Sequence, residues 1–211
     1  MCIRDRGLIT STASDAVGPR DLAALPKAHL HLHFTGSMAP ATVRELAASH
    51  GMRLPYSLTD DVGNTYDVED ERGWFRFQRT YDAARNCVRG EADMRRIVRE
   101  AALADGAEGS RWLELQVDPT TYAPFVGGIT PALEIVLDEA GAVSELPGAA
   151  QVGIMVAASR MRHPLEARTL ARLAARYAGE GPGTVVAFGL SNDERGGLTS
   201  DFAPAFRIAR G

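Results

Sequence analysis

The sequence predicts an α/β protein built on a parallel sheet, and three observations carry that reading. Short apolar runs alternate with helix-period segments from about residue 111 onward, a strand, loop and helix unit opens the patterned region, and every strand-like run ends in polar or special residues. Alternation of this kind implies right-handed βαβ crossovers. The 211 residues suffice for one domain or for part of an α/β barrel, which typically takes about 250 residues. In parallel α/β folds chemistry gathers at the C-terminal ends of the strands. Here those ends are 33–37, Asp118-Pro119, Ser159-Arg160 and 191–194.

Taken in order, residues 1–20 mix Ser, Thr, Asp, Gly and Pro without a period and are expected to be a disordered leader or non-native extension, leaving 21–211 as the folded part. A strand is predicted at 28–34, then a helix at 41–50 opened by Pro40 and ended by Gly51. A polar stretch at 57–70 precedes a helix at 73–88 with Trp74, Phe77 and Tyr81 on one stripe. In the helix at 91–107, Met94, Ile97, Val98, Ala101 and Leu103 make another apolar face. Then come a strand at 111–117, a helix at 130–143, a strand at 151–157, a helix at 164–178, a strand at 184–190 and a helix from Phe202. Thr130-Pro131 reads as a capped helix start and Gly179 as a helix stop. Four strands are half of what a closed barrel needs. No Gly-rich fingerprint follows the first strand and no phosphate-cradling loop is present, so the nucleotide-binding α/β alternatives gain no support.

Composition narrows the partners. An apolar share of 45% and a charged share of 24% are ordinary for a soluble globular protein, and a net charge of -4 offers no basic footprint for nucleic acid. A small soluble ligand is expected instead. Cys2 and Cys87 form no Cys-x-x-Cys pair, which argues against a disulfide framework or thiolate zinc site and for a reducing compartment. No apolar run approaches the roughly 18 residues of a membrane span, and no secretory signal is evident, so no membrane partner and a cytoplasmic location are expected.

The strongest chemical signal is Lys27-Ala-His29-Leu-His31-Leu-His33-Phe34-Thr35-Gly36, where three of the five histidines alternate with apolar residues. In an extended strand alternate side chains share a face, so these imidazoles can converge. Neutral imidazole is a common metal ligand, and zinc accepts its nitrogen at about 2.0 to 2.1 Å. Leu30, Leu32 and Phe34 would point the other way, as in a strand buried on both faces. His31 and His33, near the strand's C-terminal end, can reach one metal. His29 would share their face about 6 to 7 Å deeper, with an interior hydrogen-bonding role. The plainer alternative is a buried strand whose histidines bond only their neighbours. An open metal site could lower the pKa of water toward about 7, but two imidazoles alone do not complete one.

Leu25-Pro26-Lys27-x-x-Leu30-His31-x-His33-Phe34-x-Gly36-Ser37 resembles the N-terminal signature of the adenosine and adenine deaminases of the amidohydrolase superfamily. The likeness continues through 74–88, through Trp112-Leu-Glu114-Leu-Gln-Val117-Asp118-Pro119, and into Val185-Val-Ala-Phe188-Gly189-Leu-Ser-Asn192-Asp193-Glu194. It implies a (β/α)8 TIM barrel, present here as roughly its first four β/α units. It also implies one Zn2+ that activates water to attack C6 of a 6-aminopurine, adenosine foremost, giving inosine and ammonia. His31 and His33 match the first two zinc ligands. The family's later His-Ala-Gly-Glu, a further histidine and a late aspartate, which supply the remaining ligands and the general acid and base, have no match up to Gly211. The chain by itself is therefore expected to be a truncated form, poorly soluble or self-associating and without turnover.

Departures from the family pattern bear on the substrate. Thr35 stands where an acidic residue is common, an aspartate that bonds the ribose 5′-hydroxyl in nucleoside deaminases. Asn192 aligns with a glycine whose amide approaches the purine, Gly189 replaces a usual aspartate, and His29 a frequent glutamate. His33, Thr35, Gly36 and Asn192 are thus the expected substrate contacts, with Asp193 and Glu194 orienting groups behind them. Asp193-Glu194 also fits a loop acid pair, and Asp118 a turn acid before Pro119. The Trp74, Phe77, Tyr81 stripe fits an apolar lid over a purine or, more simply, core. Arg95, Arg96 and Arg99, like Arg168, Arg172 and Arg176, read as solvated helix faces. His163 precedes a helix-starting proline and His50 sits at a helix end, which makes both poor ligands. Two other functions stand beside the deaminase: another metal-dependent amidohydrolase acting on a cyclic amide or ester, and a non-catalytic metal-binding module.

Overall fold

The computed structural model describes residue 21, residues 24–59 and residues 71–211. The expectation for 1–20 and most of the polar stretch at 57–70 lie outside the described residues. Four strands, β1 (Lys27–His33), β2 (Ser110–Val117), β3 (Gln151–Ser159) and β4 (Val185–Ser191), form one parallel sheet in the order β1-β2-β3-β4. Each crossover therefore steps to the next position in the same direction. With right-handed connections that places the crossover helices on one face and leaves the other as a concave wall, whereas a doubly wound sheet reverses direction at a switch point. These are four of the eight strands that barrel closure needs.

The helices are α1 (Pro40–Ser49), α2 (Glu71–Arg85), α3 (Glu91–Ala107), α4 (Pro119–Val126), α5 (Ile129–Ser144), α6 (Pro164–Arg176) and α7 (Ala203–Arg210). Strand register sorts the side chains. Leu113, Leu115 and Val117 align with Val152, Ile154 and Val156, and all six are buried beneath the helix layer. Met94, Ile97 and Val98 of α3, Leu133 and Val136 of α5, and Leu170 of α6 pack into the same core. The alternate residues Trp112, Glu114, Gln116, Gly153 and Met155 face the concave side. Gly153 is there for space: a Cβ would stand 2.7 Å from Cζ2 of Trp112. No described helix is long and apolar enough to cross a membrane.

Several expectations are corrected. α4 was not anticipated, because Pro119, Pro124 and Gly127-Gly128 all read as loop. It forms because Asp118 caps it, accepting the Thr120 N–H, while Pro119 occupies the first turn where no donor is needed. Thr130 does not cap α5; the chain enters that helix at Gly128, with φ of 142°, and Thr130 lies inside it. Gly179 does not stop α6, whose C-cap is Tyr177; its bare Cα lets the Thr184 side chain approach, a Cβ there lying 2.9 Å from Thr184 Cγ2. The arginines of α3 are not merely solvated. Arg99 reaches Glu139 at 2.7 Å, Arg95 joins Glu91 and Asp138, and Arg96 joins Glu100 and Glu45, tying α3 to α5 and α1. Glu139 is 3% exposed, so its charge is compensated by Arg99 and by Arg95 at 3.5 Å.

Where α3 ends, its backbone meets the turn before β3, and a Cβ on Gly106 would lie 2.0 Å from the Gly148 carbonyl oxygen. Gly106→Ala is expected to cost about 1–3 kcal/mol through this overlap, read as a lower urea midpoint. Gly141→Ala, inside α5 with only the Gly183 Cα at 3.9 Å from its Cβ position, should not lower the midpoint.

Candidate metal-binding and active site

β1 is not a regular strand. Its register against β2 slips between His29 and Leu32: His29 aligns with Leu113 and Leu32 with Leu115, so three steps on β1 match two on β2. This is a β-bulge, and it reverses the in-and-out parity of the strand. The bulge is made by His31, whose φ is 72°, in the left-handed region. His29 thereby falls on the helix face, where its Nδ1 meets Asp105 of α3 at 3.0 Å. The expected interior role of His29 is corrected: it does bond a neighbour, but on the opposite side of the sheet. Leu30 is 61% exposed rather than buried, while Leu32 packs on the core and Phe34 lies within it.

Beyond the bulge, His31 and His33 turn toward each other, with their Nε2 atoms 3.2 Å apart and ring centroids 5.1 Å apart. Two nitrogens each about 2.0–2.1 Å from one tetrahedral metal lie about 3.3–3.4 Å apart, so the pair is spaced to share an ion. The pKa of His33 is held below the ordinary imidazole value, first by partial burial and then by the neighbouring His31. A neutral ring with a free lone pair is what ligation requires. Among the described residues no group of three or more His, Cys, Asp or Glu converges on one point, so the pair is an incomplete donor set. The other histidines are engaged elsewhere. His50 bonds Asp93 at 2.8 Å, and His163 caps α6, its Nδ1 accepting the Leu165 N–H.

Around the pair, Gly36 is exposed and Thr35 is not: at 5% exposure its hydroxyl lies 3.0 Å from that of Tyr122 on α4. Tyr81 stands edge-on to His33, ring centroids 6.5 Å apart, and continues through Phe77 to Trp74 at spacings of 5.9 and 5.7 Å. Trp74 and Tyr81 are half-buried and Phe77 is exposed, so this stripe is not core; it flanks the histidine pair. Across the sheet, Asn192 follows β4 directly, with φ of 81°. Its Oδ1 accepts the Asp193 N–H at 3.0 Å, and its Nδ2 reaches the Ser159 hydroxyl at 3.4 Å. Arg195 grips both oxygens of Asp193 and holds its carboxyl below the usual range; Glu194 is exposed, 3.9 Å from Arg160. Burial raises the Asp118 carboxyl, against the hydrogen bonds from Thr120.

Two residues near the site escaped sequence reasoning. Gln116, aligned with His33, is 4% exposed, and its Nε2 has no hydrogen-bond partner among the described residues. A polar residue in an otherwise apolar strand is the signal that marks it. Tyr122 carried no signal, since the helix that delivers it was itself not anticipated.

Residues 26–211 match the sequence model of the adenosine deaminase family. The chain belongs to the adenosine deaminase family. A protein of Streptomyces virginiae described as "Putative adenosine/adenine deaminase" is 60% identical over 191 residues, covering 90% of this chain and 55% of its own length. One of the same description from Streptomyces coelicolor is 58% identical, covering 90% and 56%. Among solved structures, an amidohydrolase from Burkhoderia ambifaria with bound Zn superposes with a TM-score of 0.73 at 20% identity, covering 94% of this chain and 54% of that one. This adenosine deaminase family chain thus has the sheet and helix order of the amidohydrolase TIM-barrel deaminases, and it spans about half the length of the curated relatives it matches.

The left-handed backbone at Asn192 yields a test of how that strand end is held. Asn192→Ala removes both side-chain bonds and leaves a Cβ residue in that region, at a cost of roughly 1–2 kcal/mol, while Asn192→Gly should match the parent in a thermal melt.

Proposed function

We propose that the protein of which this sequence forms the described part catalyses hydrolytic deamination of a 6-aminopurine, adenosine foremost, using zinc held by His31 and His33. The observation that supports this most directly is the 3.2 Å approach of the two Nε2 atoms at the C-terminal end of β1, in a chain of the adenosine deaminase family. Zinc at that point would supply Lewis acidity that brings the pKa of water toward about 7. His31 and His33 would hold the ion through their Nε2 atoms. Tyr81 stands edge-on to one side of His33, and Gly36, exposed and without a side chain, lies beside both residues. Asn192 and the strand end behind it form the facing wall, with Asp193 and Glu194 positioned after it. The remaining ligands, and the acid and base that protonate the purine and take the proton from water, are assigned to groups outside the described residues. Water adds at C6, the C6–N6 bond breaks, and ammonia departs.

The ligand assignment is tested by zinc retention after dialysis, read by metal analysis. His31→Ala and His33→Ala should each abolish it, whereas His29→Ala, bonded to Asp105 on the far face, should stay within about twofold of the parent. Equal loss in all three would refute the assignment. The reaction is tested by ammonia release from adenosine, adenine and a modified purine nucleoside, using a protein that carries this sequence at the length of its relatives. Release from a cyclic amide or ester but from no purine would favour the amidohydrolase alternative.

A further inference from the structure

The loops that follow β3 and β4 are joined by close contacts at the end of the sheet that carries the histidine pair. The second of them, 192–199, bears Asn192, Asp193 and Glu194, and little apolar packing holds it. Asn192, Glu194, Arg195 and Gly197 are exposed, and Leu198 is 72% exposed. Arg160, the first residue after β3, meets this loop at both ends. Its main-chain N–H donates to the Ser191 carbonyl at 3.1 Å, and its Nη1 donates to the Thr199 hydroxyl at 3.0 Å. Its Nη2 stands 3.9 Å from a Glu194 oxygen.

Two glycines let the loops come this near. A Cβ on Gly197, where φ is 59°, would lie 2.5 Å from the Arg160 carbonyl oxygen, and one on Gly196 would lie 2.8 Å from the Met161 sulfur. The Arg160 guanidinium is poorly compensated where it lies. Its side chain is 13% exposed, its Nε is buried with no hydrogen-bond partner among the described residues, and Glu194 lies beyond hydrogen-bond range. A mostly buried cation so placed adds little to global stability, and an apolar side chain of similar length serves a fold as well. The charge and reach of Arg160 therefore answer to the loop and not to the core.

We propose that Arg160 is a positioning residue: its guanidinium clasps the 192–199 loop through Thr199 and Glu194, and so fixes Asn192, Asp193 and Glu194 as the wall facing the histidine pair. Arg160 acts on the site through those residues and does not itself touch substrate. The consequence for substrate binding rests on the function proposed above, but the clasp does not.

The clasp is tested by native-state trypsin digestion of a protein that carries this sequence at the length of its relatives, with fragments read by mass spectrometry. Cleavage between Arg195 and Gly196 follows local opening of the loop, whereas cleavage after Arg176, at the end of α6, follows loss of the fold around it. Arg160→Met and Thr199→Val should each speed the first cut by roughly two- to tenfold, the range set by one lost hydrogen bond. The second cut and the thermal midpoint should match the parent. Thr199→Ser, which keeps the hydroxyl, should restore the parent rate after Arg195. Parent-like cleavage there in Arg160→Met, or a serine variant as fast as the valine one, overturns the proposal. An Arg160→Met variant that speeds both cuts alike, or fails to fold, shows a structural role and overturns it too. With adenosine as substrate, Arg160→Met should raise KM severalfold and leave kcat within about twofold. An unchanged KM beside a faster cut after Arg195 would sink the claim that the clasp fixes the wall. A parent without purine turnover would refute the function proposed above, and the two cuts would still decide the clasp.

Discussion

The bulge at His31 is the constraint on which the site depends. A regular strand would set His29, His31 and His33 on one side, about 6 to 7 Å apart in sequence pairs, with the first far below the other two. One inserted residue in the left-handed conformation sends His29 through the sheet to Asp105 and lets His31 and His33 face each other across 3.2 Å. That conformation is costly for a residue with a Cβ, and at functional sites such local strain is held in place by the surrounding structure. Here β2 supplies the frame: Leu113 and Leu115, wholly buried, fix the two registers between which the extra residue must fit.

The surroundings of the pair are assembled from the loops and helices that follow the strands. α4 matters more than its eight residues suggest, since Asp118 starts it at the end of β2 and Tyr122 then reaches back to Thr35. α2 comes over the pair from the other side and brings the Tyr81 ring to 6.5 Å from that of His33. β4 closes the described wall with a second left-handed residue, Asn192, whose amide is spent on its own turn and on Ser159. Both non-glycine residues of positive φ among those described thus sit at the same end of the sheet, where parallel α/β proteins place their chemistry.

Much of the fold was legible because periodicity reports burial. α3 matches its predicted limits, and α1, α6 and the four strands fall within a residue or two of theirs, since each pairs a clear apolar pattern with a proline, glycine or polar boundary. α4 was illegible because its prolines and flanking glycines are loop signals unless the cap at Asp118 is seen. The α3 arginines looked solvated because their acidic partners, Glu139 and Asp138 on α5 and Glu45 on α1, lie some forty to fifty residues away and are brought near only by packing. The aromatic stripe on α2 has helical spacing whether it faces core or site, so spacing could not choose.

By itself the sequence determined the class of fold, the strand that carries the imidazoles and the family to which they belong, because these follow from patterns local to a few residues. Tertiary structure decided which histidines meet, that Thr35 is tied to Tyr122, and that the arginines of α3 are paired. Parity along a strand depends on a single inserted residue, and whether one is inserted depends on the neighbouring strand's register, which no local pattern encodes.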